Sequence, residues 1–307
     1  MKHANKKEEF TYPILTLGNF DGVHLGHQAI FNIVMDRAAE KGGTPIVFTF
    51  VPHPLKVISP KTAPRLLTNY KDKIDLIKKC GIDVIICTKF TKKFADISAE
   101  SFVKNVLCKA IKAKEIFIGA NYFFGKGREG SPELLRRLGQ DCGFTVTVVD
   151  EIKSGNTTIS SSMIRRVIAE GKVDEASKYL GRLYYVDGVV VEGANRGRKL
   201  LNTPTANLST INELLPKNGV YAVKVEMGGK QYAGASNVGY NPTFDNSNFS
   251  FETHILDFDG DLVGKTIRIY FVKRIRDEIK FSSIEALALQ LQKDIENTRK
   301  IIKDLDS

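Results

Sequence analysis

The sequence predicts an α/β parallel-sheet domain followed by a small antiparallel β-barrel domain with a C-terminal helix, and three patterns predict it. Over the first 180 residues short apolar runs alternate with amphipathic helical stretches, the arrangement that covers both faces of a parallel sheet with helices. From Tyr184 the period changes to two, with glycine-rich turns and no helix between the strands, as in small closed barrels. The stretch 282–303 sets Ile284, Leu287, Leu291, Ile295 and Ile302 on one helical stripe, which suits packing against the barrel. Gly181 is the expected boundary, giving domains 1–180 and 181–307.

In the first domain, strands are expected at 14–17, 46–50, 84–87, 116–118 and 144–149, each an apolar run of strand length. Helices are expected between them at 28–41, 71–80, 101–111 and 131–138. Two more follow, a capped one at 160–170 and another at 173–180. In the second domain the strands fall at 184–191, 219–225, 231–237, 251–256 and 266–272, with Met227-Gly228-Gly229-Lys230 as a hairpin turn.

A chain of 307 residues with 42% apolar and 26% charged residues has room for two ordinary globular cores. No apolar run approaches the roughly 18 residues of a transmembrane helix. The opening MKHANKKEEF lacks the apolar centre of a secretion signal, so a cytoplasmic protein is expected. Cys80, Cys87, Cys108 and Cys142 form no C-x-x-C pair and are expected as free thiols without zinc. Residues 1–180 carry 28 Lys+Arg against 19 Asp+Glu, nine of the ten net positive charges. That excess could steer phosphorylated substrates or simply form a solvated lysine surface. The lysines are scattered rather than interleaved with aromatics, so no nucleic-acid partner is expected.

The densest chemical signal is GNFDGVHLGH, residues 18–27. It follows the first strand and opens a helix, so backbone N–H groups and the positive helix end point beyond the strand. His24 and His27, three apart, share one helical face. Two imidazoles aimed at one spot can donate to phosphate oxygens and stabilise charge growing in a transition state, without a covalent intermediate. An isolated H-x-x-H could also be a corner whose histidines cap and pack; Gly18, Asp21, Gly22 and Gly26 favour the phosphate site. His53, between Pro52 and Pro54, and Asn121 follow the second and fourth strands, where open sheets carry their sites. Ser160, Ser161 and Arg165 sit at a helix start, where hydroxyls cap and a guanidinium grips phosphate. A competing motif, Gly125-x-Gly127-x-x-Gly130, fits a dinucleotide fingerprint and an NAD-dependent oxidoreductase. Against it, Tyr122, Phe123 and Phe124 occupy the place where that fingerprint needs a tight turn.

His24-Leu25-Gly26-His27 resembles the H-x-G-H motif of nucleotidylyltransferases. The longer G-x-F-D-G-x-H-x-G-H, with Gly18, Phe20, Asp21 and Gly26, is similar to the adenylyltransferase half of the prokaryotic bifunctional riboflavin kinase/FMN adenylyltransferases. Pro52-His53-Pro54, the loop GANYFFGKGREG at 119–130 and ISSSMIR at 159–165, with serine where threonine is usual, match further motifs in the family's order. The resemblance implies a nucleotidylyltransferase-type (Rossmann-like) domain in which the FMN phosphate attacks the α-phosphorus of ATP and magnesium pyrophosphate leaves. It implies catalytic roles for His24, His27 and His53. It also implies ATP or flavin contacts for Gly18, Phe20, Asp21, Gly26, Asn121, Phe124, Gly125, Arg128, Ser160, Ser161 and Arg165.

In the second half, Pro204-Thr205-Ala206-Asn207 and FETHILDFDGDLVG at 251–264 resemble two riboflavin kinase motifs. They imply Thr205 and Asn207 as hard oxygen ligands for Mg2+ on ATP phosphates, and Glu252 as the general base for the riboflavin 5′-hydroxyl. Gly197 and Arg198 match the kinase ATP loop, but Pro204 arrives one residue late and Asn202 stands where a glycine is expected. The expectation is therefore FAD biosynthesis from ATP, FMN and riboflavin. Its alternatives are an adenylyltransferase with an inactive kinase-like domain and a flavin-binding regulator.

Overall fold

The structure, a computed structural model, describes residues 9–192, 205–240 and 249–306. By contacts the chain divides into two units, Met1–Ser160 and Ser161–Ser307. In the first, β1 (Pro13–Leu17), β2 (Thr44–Val51), β3 (Val84–Lys89), β4 (Glu115–Gly119) and β5 (Thr145–Val149) form one parallel sheet in the order β3-β2-β1-β4-β5. Alternate residues feed opposite faces, as strand geometry requires. Leu15, Leu17, Ile46, Phe48, Ile116 and Ile118 join one core cluster, while Ile14, Val47 and Phe117 join the other side. The winding reverses between β1 and β4, so a crevice opens beyond their carboxyl ends.

Helices α1 (Leu25–Lys41), α2 (Pro54–Ile58), α3 (Tyr70–Lys79), α4 (Lys92–Ala95), α5 (Ala99–Ser101) and α6 (Pro132–Cys142) connect these strands. The helix expected at 101–111 adopts the wider π register over Phe102–Ala110, with Ile111 N–H donating to Val106 O at 2.9 Å. In that register Phe102, Val103 and Leu107 are all buried, and Phe102 packs edge-on against Phe48. Gly125, Gly127 and Gly130 open no α-helix: Gly125 leads only into the short 3-10 turn Lys126–Arg128. Phe124 bridges back to Gly130, and α6 starts after its own Ser131 cap, so the dinucleotide-fingerprint reading fails.

The second unit begins with α7 (Ser161–Ala169) and α8 (Val173–Leu180). They pack on each other, and α8 packs on two barrel strands, so contacts group this helix pair with the barrel. Strands β8 (Tyr184–Val191), β9 (Thr205–Thr210), β10 (Gly219–Met227), β11 (Lys230–Tyr240), β12 (Phe249–Ile255) and β13 (Thr266–Arg276) close it in the order β10-β11-β12-β9-β8-β13. The hairpin β6 (Lys153–Ser154) and β7 (Thr157–Thr158) completes the first unit. Among the barrel strands, β9 is absent from the apolar pattern because only Ala206 and Leu208 of its TANLST face inward.

Helix α9 (Ile284–Asp306) packs on β10, β11 and β13. Its most buried side chains are polar, Asp294 and Thr298, while Ile284 of the expected stripe is exposed. Arg276 donates to both Asp294 oxygens at 2.7–3.1 Å, a bidentate geometry that fixes the docking. Among the described residues no helix is long and apolar enough to cross a membrane.

Candidate active site

The first strand ends at Leu17 and the chain reaches α1 through Gly18–Asn19–Phe20–Asp21–Gly22–Val23. His24 is the N-cap residue, in extended conformation with φ −75° and ψ 171°, and the first turn of α1 holds no acidic residue. The positive helix end is thus left for an outside anion. His24 and His27 stack with ring centroids 3.5 Å apart and planes 20° from parallel. Phe20, itself buried, sets its ring edge-on to His27 at 5.2 Å. A Cβ on Gly26 would approach the His24 ring to 3.2 Å, so the smallest residue leaves that imidazole room. Asp21 shapes the loop: its carboxylate accepts from Leu67 N–H at 3.0 Å and Thr68 N–H at 3.2 Å.

His53 caps α2, its Nδ1 accepting from Leu55 N–H at 3.2 Å. With Nδ1 an acceptor, Nε2 is the ring nitrogen able to donate. Its backbone N–H donates to Tyr70 Oη at 2.9 Å. His53, Asn19, Asp21, Phe50, Tyr70 and Lys73 line one narrow cleft. Composition and motif reading miss Tyr70 and Lys73, although Lys73 falls on the same helical stripe as Leu76 and Ile77, where a charge is out of place. Burial pushes the Lys73 ammonium below its ordinary value, against the pull of Cys87 and Asp21.

Asn121 lies beyond β4, exposed, its amide donating to Glu151 at 2.5 Å; the second Glu151 oxygen accepts from Thr158 Oγ1 at 3.3 Å. Phe124 is buried and stacked on Tyr122, while Phe123 is the exposed aromatic of this loop and lies under the Arg128 guanidinium. Gly125, at φ 75° and ψ 177°, occupies backbone space reserved for glycine, and a Cβ there would meet Ala99 N at 2.6 Å. Ser160 closes the first unit, whereas Ser161 and Arg165, both half-buried, belong to α7 of the second.

In the barrel, Glu252 of β12 pairs across the ladder with Asn207 of β9 on one side and Asn237 of β11 on the other. Thr205 pairs with His254 two residues along. Directly opposed residues share a face, and Phe251, Thr253 and Ile255 take the interior. Thr205, Asn207, Asn237, Glu252 and His254 therefore line one half-exposed face. Neutral hydroxyl and amide oxygens beside one carboxylate suit Mg2+ that arrives with ATP phosphates as its other ligands. Gly197, Arg198, Asn202 and Pro204 lie outside the described residues.

The FAD synthetase family model matches residues 6–163 and the riboflavin kinase model residues 180–302. The bifunctional riboflavin kinase/FMN adenylyltransferase of Listeria monocytogenes is 39% identical, the alignment covering 100% of this chain and 98% of the relative. Those of Bacillus subtilis, at 36% with 95% and 93% covered, and Escherichia coli K12, at 34% with 92% and 90% covered, agree. A solved structure from Streptococcus pneumoniae, described as a macrolide-efflux protein, is 33% identical and superimposes with a TM-score of 0.85 over 95% of this chain and 96% of its own. Matched in both halves by family models and over its whole length by such relatives, the chain belongs to the bifunctional riboflavin kinase/FMN adenylyltransferase family.

Proposed function

We propose that this chain makes FAD from riboflavin in two ATP-dependent steps, with phosphorylation assigned to 181–307 and adenylyl transfer to 1–180. The observation that carries the reading is the stacked His24–His27 pair at the acid-free N-terminus of α1. In the second step an FMN phosphate oxygen bonds to the α-phosphorus of ATP as the bond to the pyrophosphate oxygen breaks. Such a transfer needs alignment and charge stabilisation more than covalent help. His24, His27 and the helix end would bind the triphosphate and hold the leaving pyrophosphate, and His53 would add a donor through Nε2. Asn121, Phe124, Gly125 and Arg128, with Ser160, Ser161 and Arg165, are assigned to ATP and flavin.

In the first step Glu252 would take the proton of the riboflavin 5′-hydroxyl as that oxygen bonds to the γ-phosphorus and ADP leaves. Gly197 and Arg198 are assigned to the ATP phosphates. Mg2+, held through Thr205 and Asn207, supplies charge neutralisation on those phosphates when bound. ATP, FMN and riboflavin as substrates and a cytoplasmic place of action belong to the same reading.

The test is chromatographic, with Mg-ATP and either riboflavin or FMN. FMN and FAD from riboflavin are expected. FAD from FMN with no product from riboflavin would leave an adenylyltransferase whose loop around Asn202 has lost phosphoryl transfer. No turnover of either flavin, with binding retained, would make the protein a flavin-binding regulator.

A further inference from the structure

Lys73 is only 4% exposed, and its ammonium donates to Asn19 O at 3.2 Å, Thr49 Oγ1 at 3.1 Å and Phe50 O at 3.1 Å. Three donors thus meet three neutral oxygens. Thr49 Oγ1 in turn donates to Asn19 O at 3.2 Å. A buried cation without a carboxylate in contact is costly, and an apolar side chain of equal length would fill the same space at less cost. What the ammonium alone supplies is a three-way tie between the loop that leads to His24 and His27 and the end of the strand that leads to His53. One helical turn away, Tyr70 Oη accepts the His53 backbone N–H, and its ring lies 5.6 Å from the Lys73 nitrogen. The first turn of α3 therefore grips both histidine segments, on the wall of the cleft they share.

We infer that Lys73 is a positioning residue for adenylyl transfer, its ammonium setting the spacing between the His24/His27 loop and the His53 segment. The inference rests on the adenylyltransferase reading and deepens it. It also assigns a purpose to the charge. Deprotonation leaves two donors for three acceptors, so the tie loosens when the ammonium loses its proton. Burial moves that event below the ordinary lysine value of 10.5. The groups facing Lys73 are Asp21 from the β1–α1 loop, Thr49 and Phe50 from β2, Cys87 from β3, Tyr70 from its own helix and His53 across the cleft.

Lys73→Met and Lys73→Arg are compared with the wild-type full chain. For Lys73→Met, kcat for FAD formation from FMN should fall on the order of 10²-fold, the usual effect of misplacing a catalytic group by about 1 Å. The Kd for Mg-ATP should change less than about threefold, because the groups that bind remain, and FMN formation from riboflavin should be unchanged. Wild-type kcat for FAD formation should decline in the alkaline range. Lys73→Arg, which keeps its charge throughout, should retain activity without that alkaline limb. If Lys73→Met does not fold, Lys73→Arg and Thr49→Val, which removes one acceptor, carry the test. A Lys73→Met enzyme with wild-type kcat, or an alkaline limb unchanged in Lys73→Arg, would overturn the inference. Wild-type protein that forms no FAD would instead refute the adenylyltransferase reading itself.

Discussion

Replacing His27 by alanine should separate the two activities, and the structure sets the scale of both consequences. The imidazole is half-buried, stacked on His24 and met edge-on by Phe20. Each such ring contact contributes about 0.5–1.5 kcal/mol beyond its area, so the first unit should lose about 1–3 kcal/mol. Against a typical domain stability of about 5–15 kcal/mol, the variant stays largely folded. In the proposed reaction, loss of a donor to the leaving pyrophosphate would cost more, about 3–4 kcal/mol of transition-state stabilisation, or roughly 10²–10³ in rate. In one tube with riboflavin and Mg-ATP, His27→Ala should therefore accumulate FMN at the wild-type rate and make almost no FAD. Separation of the flavins over time reads both rates. Equal loss of the two products would refute the assignment of the reactions to separate units, and a fall in FAD formation below about threefold would refute the role of His27.

Glu252→Gln should do the reverse, lowering FMN formation about 10²–10⁴-fold as expected for loss of a general base, with FAD formation from FMN intact; the same separation measures it. Gly125→Ala should destabilise the first unit by more than about 2 kcal/mol in denaturant unfolding, because the side chain meets both a forbidden backbone angle and the Ala99 amide. A pH series tests the network at the start of the sheet. Burial raises the Glu115 value, but the hydrogen bonds from Arg37 and Tyr12 outweigh it and hold the carboxyl below its ordinary 4.5. A depressed carboxylate contributes its stability above the unfolded value and loses it as pH falls through the folded one. The unfolding midpoint should therefore drop below about pH 4.5 in the wild type, and less steeply in Glu115→Gln.

What the sequence made legible follows from how each element is stabilised. The five parallel strands are buried on both faces, so each reads as an apolar run, and all five were expected within a residue or two at most ends. β9 was not, because its stability comes from ladder bonds and two inward residues, while Thr205 and Asn207 stay half-exposed on the other face. The C-terminal helix was found by its apolar stripe, yet it is anchored through Asp294, whose partner Arg276 lies 18 residues away on β13. No periodicity reports such a pair. The histidine motif was legible because its chemistry is local, compressed into one loop and one helical turn. Lys73 and Tyr70 were invisible as site residues because their partners at Asn19, Thr49, Phe50 and His53 are brought to them only by the sheet order.

The two sites place their carboxylates differently, and the nucleophiles of the proposed reactions explain why. An FMN phosphate is already anionic near neutral pH and needs no proton removed, so a free carboxylate beside it would only repel it. In the first unit the one carboxylate of the histidine loop, Asp21, is turned onto the Leu67 and Thr68 backbone N–H groups, and the groups left at the helix end are imidazoles and amides. A riboflavin hydroxyl, by contrast, is a poor nucleophile until its proton is taken. The barrel accordingly sets Glu252 on its half-exposed face, flanked across the ladder by the neutral side chains of Asn207 and Asn237. In the proposed reactions donors would surround the nucleophile that is charged from the start, and a base would face the one that must be made so. That proposed division of labour would rest on two unrelated architectures, a helix terminus beyond a parallel sheet and a register of antiparallel strands. It is a stronger argument for two successive transfers to one flavin than either motif by itself.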